Sequence, residues 1–144
     1  MRGREGVMGF PLRLAIAFLI VSLCVPPLVA ATEHFQTQTE IAAVDQEVGR
    51  ISEAAARVYY AGAGSTCTLD VAIDAACTVV IGGENADAYS IAVFRGDTEQ
   101  SRTYLDRPPV RLLGPAFAVN GPATLLFSCM NAEGIYGVEV SFVD

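Results

Sequence analysis

The sequence predicts an α+β protein, in which a long N-terminal membrane-spanning and then amphipathic helix is followed by a small, sandwich-like antiparallel β domain. Three observations predict this fold: an uncharged apolar run at residues 14–31, helically spaced apolar residues at 41–58, and a period-two alternation after residue 64. We expect the chain to consist of an N-terminal stretch at 1–9, a transmembrane helix at 10–31, a continuing amphipathic helix at 32–64 and an extracytoplasmic β domain at 65–144.

The apolar run is long enough to cross a membrane. Its 18 residues, from Leu14 to Ala31, rise about 27 Å as a helix, which matches the hydrocarbon core of a bilayer. Three arginines precede the run and glutamates follow it. The positive-inside rule therefore predicts a single-pass protein with a cytoplasmic N-terminus and an extracytoplasmic C-terminal domain.

The same segment admits more than one mode of processing. One possibility is an uncleaved anchor. A second is a secretory signal, in which Pro26 and Pro27 break the helix and Val29-Ala30-Ala31 forms a cleavage site before Thr32. The two modes predict different mature proteins, because only the first keeps the apolar segment.

A third mode follows from the residues before the run. The stretch Met1–Gly9 is short and basic, ends in glycine directly before Phe10, and precedes the apolar run. In this arrangement the sequence resembles the type IV pilin-like proteins, particularly the archaeal class III signal-peptide group. The resemblance implies cleavage between Gly9 and Phe10 on the cytoplasmic side. It also implies a retained helix that first anchors the subunit and later packs against other pilin-like subunits in a filament core.

Three departures from the family pattern refine what the resemblance implies. A pilin usually carries glutamate at the fifth mature position, where this chain has Leu14. Pro11 and Arg13 are also unusual so early in the helix. The resemblance therefore implies a minor or pilin-like subunit rather than a major pilin.

Beyond the span, apolar residues recur at alternating spacings of three and four, which predicts the seam of an amphipathic helix. The predicted seam consists of Ile41, Val44, Val48, Ile51, Ala55 and Val58. Glu47 with Arg50 and Glu53 with Arg57 are spaced to form ion pairs on the solvated face. Gly62 and Gly64 predict the end of the helix.

After Gly64 the pattern becomes that of strands. The clearest hairpin is C-terminal, with alternating apolar residues on both sides of a four-residue loop, Asn131–Gly134. That loop length predicts that Phe127 opposes Val138 and that Leu125 opposes Val140. Four prolines between residues 108 and 122 restrict the middle of the domain to sheet edges and connections.

Three cysteines lie in the exported part of the chain, where thiols tend to oxidise. Cys67 and Cys77 are closest in sequence and predict a bridge with the shortest loop. A tight hairpin at Ala75-Ala76 would instead carry Cys67 away from Cys77, so a bridge between Cys77 and Cys129 is the alternative. The remaining cysteine, Cys24, lies in the apolar segment and is predicted to be a packing residue.

The composition excludes several function classes. Nine arginines, no lysine and 16 acidic residues give a net charge of −7, whereas nucleic-acid binding needs a concentrated basic face. His34 is the single histidine, which excludes a histidine-based triad or a multi-histidine metal site within this chain. We expect no catalytic site, no cofactor and no metal; Glu84, Asn85 and Asp87 resemble a solvated turn more than a calcium loop.

The sequence thus predicts a pilin-like, membrane-anchored structural subunit of an extracytoplasmic filament or related complex, with the membrane and other subunits as partners. The alternative is a membrane-tethered or secreted surface β domain that binds a ligand or partner. The mass of the mature chain distinguishes the two, because a soluble chain beginning at Thr32 favours the binding module.

Overall fold

A computed structural model describes the backbone of residues 2–144 and the side chains of residues 11–144. Met1–Glu40 and Ile41–Asp144 form two compact units. The described elements are, in chain order, α1 (Arg2–Ala61), β1 (Thr66–Ala72), β2 (Cys77–Ile81), a 3-10 helix (Asn85–Tyr89), β3 (Ser90–Arg95), β4 (Thr98–Tyr104), β5 (Leu112–Leu113), β6 (Phe117–Val119), β7 (Pro122–Ala132) and β8 (Ile135–Phe142).

The predicted α+β fold is confirmed: a long apolar N-terminal helix precedes a domain rich in antiparallel sheet. The helical assignment of α1 continues through Pro26 and Pro27, which the secretory-signal interpretation treats as helix-breaking. The helix ends at Ala61, and the glycines that predicted its end, Gly62 and Gly64, both have positive φ. That conformation is favourable for glycine because it carries no Cβ.

The domain contains two four-stranded sheets, with the strand orders β1-β7-β8-β5 and β4-β3-β2-β6. Residues of α1 border one groove with Cys67–Leu69 and another with Thr103–Val110. The part of α1 that belongs to this unit, Ile41–Ala61, therefore lies between β1 and β4, an edge strand of each sheet. At the other side of the sandwich, Phe117 of β6 packs against Phe142 of β8 with ring centroids 4.6 Å apart.

The register of the C-terminal hairpin differs from the prediction. Phe127 opposes Val140 and Leu125 opposes Phe142, a shift of two residues along β8. The reason is the turn, which contains two residues rather than four: Glu133 and Gly134 have φ of 53° and 82°, as a type I′ hairpin requires. Because the shift is even, every side chain keeps its predicted face.

The alternation of apolar residues does not predict two of the strands, β4 and β5. β4 is polar and mostly exposed, and it pairs with β3 across an irregularity at Val93/Phe94. β5 pairs with β8 in parallel, so the sheet that contains it is not purely antiparallel. β1 and β2 belong to different sheets, and the predicted hairpin at Ala75-Ala76 is therefore a connection between sheets.

Candidate functional site

The predicted helix seam lies against the β domain over most of its length. Val44, Val48, Ile51, Ala55 and Val58 are buried, each with 3% exposure or less. They form one cluster with inward-facing residues of both sheets, including Val79, Val93 and Phe127. Ile41 is only partly buried. The seam therefore divides into a buried upper part and a partly exposed lower end.

Polar contacts fix the outer side of the helix. Arg50 pairs with Glu47 and Arg57 pairs with Glu53, each at 3.0 Å, as the spacing predicted. The Ser101 hydroxyl of β4 donates to Asp45 Oδ1 at 3.3 Å. This last contact links the lower part of the helix to an edge strand.

The C-terminal end of α1 is held by Tyr136, a residue that the sequence does not single out. Its hydroxyl donates to the Tyr59 carbonyl oxygen at 2.7 Å, and the two rings meet edge to face at 4.9 Å. A hydrogen bond with the Cys129 thiol, together with burial, raises the pKa of Tyr136 to about 12. The hydrogen bond from Tyr136 to the Tyr59 carbonyl oxygen satisfies one of the carbonyls that a helix end leaves without an intrahelical partner.

The apolar segment that precedes the domain has no cover within the described chain. Large apolar side chains between Leu12 and Val29 are 47% to 69% exposed. By length and composition, the described part of α1 qualifies as one membrane-spanning helix. It is therefore compatible with a single-pass membrane anchor. The predicted processing junction, Gly9 and Phe10, lies outside the residues whose side chains the structure describes.

Among the cysteines, Cys24 is exposed, Cys67 is partly buried, and Cys77 and Cys129 are buried. Cys67 lies near the start of β1, which runs about 17 Å further to Ala72, and Cys77 begins a strand of the other sheet. A Cys67–Cys77 bridge would thus join the two sheets, and so would the alternative between Cys77 and Cys129. Both remain predictions, which non-reducing peptide mapping of the mature protein tests.

In the acidic turn at residues 84–87, Asp87 makes a structural ion pair with Arg102. Asp87 Oδ1 accepts a hydrogen bond from Arg102 at 2.6 Å, and Arg102 also binds Glu99 at 2.8 Å. The hydrogen bond with Arg102 lowers the pKa of Glu99, and the same bond raises the pKa of Arg102. No group of three or more metal-ligating side chains occurs among the described residues.

A cavity of about 450 Å³ lies between this turn, β5 and the tip of the β7–β8 hairpin. Its lining is mixed: Glu84, Asn85, Arg111 and Glu133 contribute polar groups, and Ile135 contributes an apolar side chain. Its volume falls in the range of small-molecule sites. The sequence did not indicate this cavity, because its lining comes from three separate segments.

Comparison with family models, with curated proteins and with solved structures found no match to this chain.

Proposed function

We propose that this chain is a minor, pilin-like structural subunit, anchored in the membrane by α1, of an extracytoplasmic filament or related complex. The observation that carries the proposal is the apolar segment Leu12–Val29, whose side chains are exposed on every side of the helix within the described chain. Such a surface is stable only in lipid or against other apolar helices.

The charges around the segment support the orientation that we propose. The arginines on its N-terminal side favour a cytoplasmic N-terminus, and the β domain then lies outside the membrane. Beyond the apolar segment, Thr32, Thr37 and Thr39 donate to carbonyls four residues earlier, at 2.9, 3.1 and 2.9 Å. These hydroxyls complete their hydrogen bonds within the helix, which suits a segment that leaves the bilayer as a continuous helix.

The partial exposure of Ile41 supports the assembly role. The buried seam above it packs on its own domain, whereas Ile41 keeps apolar surface available. In the proposed subunit, this lower end of the seam contacts the α1 helices of neighbouring subunits.

The intact mass of the mature chain, measured in membrane and soluble fractions, tests the proposal. We expect a membrane-bound chain that begins at Phe10, and a Gly9→Leu variant should keep the full leader. A soluble chain that begins at Thr32 would refute the pilin-like assignment, because the anchor and its assembly surface would both be lost.

The cavity at the hairpin tip favours the second candidate, a tethered or secreted surface domain that binds a small polar ligand. Its lining offers two carboxylates and one guanidinium. Screening metabolite mixtures against the purified protein by ligand-observed NMR tests this candidate. Binding that an Arg111→Ala substitution removes would support it, and no saturable binding would refute it.

A further inference from the structure

The cavity at the tip of the β7–β8 hairpin has walls that are fixed by contacts within the domain. In the turn before the 3-10 helix, a Cβ at Gly83 would lie 2.9 Å from Asp87 Cβ, and Asp87 is held by Arg102. Beside β5, the Arg111 carbonyl oxygen accepts a hydrogen bond from Val138 N at 2.8 Å. The third wall is the two-residue hairpin turn. The cavity is therefore formed before any ligand enters, as in most small-molecule sites.

Three charged side chains that line this cavity have no ionic partner in the described part of the chain. Glu84 precedes the 3-10 helix, Arg111 precedes β5, and Glu133 lies in the hairpin turn. None of the three forms an ion pair among the described residues. By contrast, Asp87, three residues after Glu84, pairs with Arg102. The cavity therefore holds opposite charges that are available to a ligand.

The backbone at the cavity departs from local sequence preferences. The two non-glycine residues with positive φ among the described residues, Asn85 and Glu133, both line it. Glu133 takes the first central position of a type I′ turn, where asparagine, aspartate and glycine are preferred. Residues that break a local rule occur most often at functional sites. The turn does not account for a glutamate at this position, whereas a role for its carboxylate in the cavity does.

The charges of the lining select among classes of ligand. Two carboxylates and one guanidinium give the cavity a formal charge of −1. A simple anion would be repelled by the carboxylates, and a simple cation would be repelled by the guanidinium. A neutral ligand would displace water from three charges without pairing them. A zwitterion pairs all three, because its carboxylate matches the guanidinium and its cationic groups match the carboxylates.

We propose that this cavity binds a free amino acid with a cationic side chain, of the lysine or arginine type. The carboxylate of the ligand pairs with Arg111, and its two cationic groups pair with Glu84 and Glu133. Its single net positive charge offsets the charge of the cavity, and its methylene stem contacts Ile135, which is 40% exposed. This inference rests on the second candidate function and names the ligand class of that site.

Ligand-observed NMR titration of the full-length chain in detergent micelles tests the proposal. We expect L-lysine and L-arginine to bind saturably. Three analogues of lysine each lack one charge: cadaverine lacks the carboxylate, norleucine lacks the side-chain ammonium, and Nα-acetyl-lysine lacks the α-ammonium. Each analogue should bind about fivefold more weakly than lysine, because one charged hydrogen bond contributes at least that factor.

Substitutions assign the charges of the ligand to residues of the cavity. Arg111→Met should lower the affinity for lysine about fivefold without lowering the affinity for cadaverine, which has no carboxylate to pair with Arg111. Glu133→Gln should lower the affinity for both compounds. Arg57→Met and Glu53→Gln are the matched controls, because they remove charges of an exposed ion pair outside the cavity and should leave both affinities within about twofold. Thermal unfolding of each variant shows whether the fold is intact.

Four outcomes would overturn the proposal. Lysine binding that neither substitution in the cavity changes would place the ligand elsewhere. Analogues that bind as tightly as lysine would refute recognition of all three charges. Saturable binding of other metabolites, without binding of lysine or arginine, would refute the ligand class and leave the second candidate function standing. The absence of saturable binding by any compound would refute both the ligand class and the second candidate function.

Discussion

Tyr136 is the residue whose side chain most directly ties the helix to the sheet. Its hydroxyl donates to the Tyr59 carbonyl oxygen at 2.7 Å, while its ring packs on the Tyr59 ring. Tyr136→Phe keeps the ring and removes the hydrogen bond, so we expect it to lower the free energy of unfolding. Tyr60→Phe is the control, because Tyr60 is 70% exposed and should have almost no effect in the same denaturant titration.

The raised pKa of Tyr136 adds a pH dependence to that contribution. An ordinary tyrosine titrates near 10 when the chain is unfolded, and the folded value is about 12. The folded state therefore holds the proton more tightly, and the stabilisation is complete below pH 10 and is lost as the pH rises toward 12. With rising pH in this range, the free energy of unfolding should fall less steeply in Tyr136→Phe than in the parent protein. Parallel curves of the two proteins would contradict the role assigned to the Tyr136 hydroxyl.

Arg102 provides a pH-dependent contribution to stability at acidic pH, through its hydrogen bond with Glu99. Its hydrogen bond lowers the pKa of Glu99 below the ordinary value of 4.5, so this stabilisation is present above pH 4.5 and is lost as the pH falls through the folded pKa. Glu99→Gln should flatten the acid limb of the stability curve. Arg102→Met should cost about 1–2 kcal/mol at neutral pH, because Asp87 and Ser90 lose the same guanidinium.

The exposed Glu53–Arg57 pair provides a control for Arg102. Its side chains are 72% and 67% exposed, and solvated pairs contribute at most about 1 kcal/mol. Glu53→Gln should therefore leave both the neutral stability and the acid limb close to those of the parent. If Glu53→Gln and Glu99→Gln change the acid limb of the stability curve equally, the measurement reports general charge effects rather than the Arg102 contacts.

At the scale of elements, the packing of β5 on β8 depends on a glycine. A Cβ at Gly137 would lie 2.6 Å from the Arg111 carbonyl oxygen and 2.9 Å from Leu113 Cγ. That carbonyl cannot move away freely, because it accepts a hydrogen bond from Val138 N at 2.8 Å. We expect Gly137→Ala to destabilise the domain by about 1–3 kcal/mol.

The same substitution at Gly49 should have the opposite effect on the stability of the domain. It lies inside α1 with open space around its Cβ position, and glycine lowers helix stability by about 1 kcal/mol relative to alanine. Gly49→Ala should therefore raise the melting temperature of the domain, while Gly137→Ala should lower it. Thermal denaturation followed by near-UV circular dichroism measures both changes, and shifts of the same sign would contradict these local explanations.

The seam of α1 has two parts with different expected roles. Val48 is 3% exposed, so Val48→Asp buries an unpaired carboxylate and should destabilise the fold by several kcal/mol. Ile41 is only partly buried, so Ile41→Asp should leave the subunit folded and abolish crosslinked oligomers of the full-length chain. If Ile41→Asp unfolds the domain as much as Val48→Asp does, the assembly role of the lower helix is wrong.

At the largest scale, that of the unit Ile41–Asp144, the part of α1 from Ile41 to Ala61 completes the sandwich on one side. It lies between edge strands of two different sheets, and its seam belongs to one buried cluster with inward-facing residues of both sheets, such as Val93 and Phe127. On the other side, the Phe117–Phe142 pair performs this role with only partial burial. The asymmetry leaves one edge covered by the helix and one edge with the exposed side chain of Phe142.

Periodicity in the sequence determined the class of fold and the side chains that face the core. The seam from Val44 to Val58, the end of the helix at Ala61 and the inward faces of β7 and β8 all follow from local spacing. Local spacing suffices there because a helix or strand presents a fixed period whatever it packs against.

The tertiary structure decided what depends on pairing between distant segments. β4 has no apolar alternation, and it is a strand only because it completes the ladder beside β3. The hairpin register depended on two positive φ angles at Glu133 and Gly134, and the contact between Tyr136 and the helix end spans 77 residues. A period of two fixes the face of a side chain but not its partner, so register and sheet order were decided only when the chain packed.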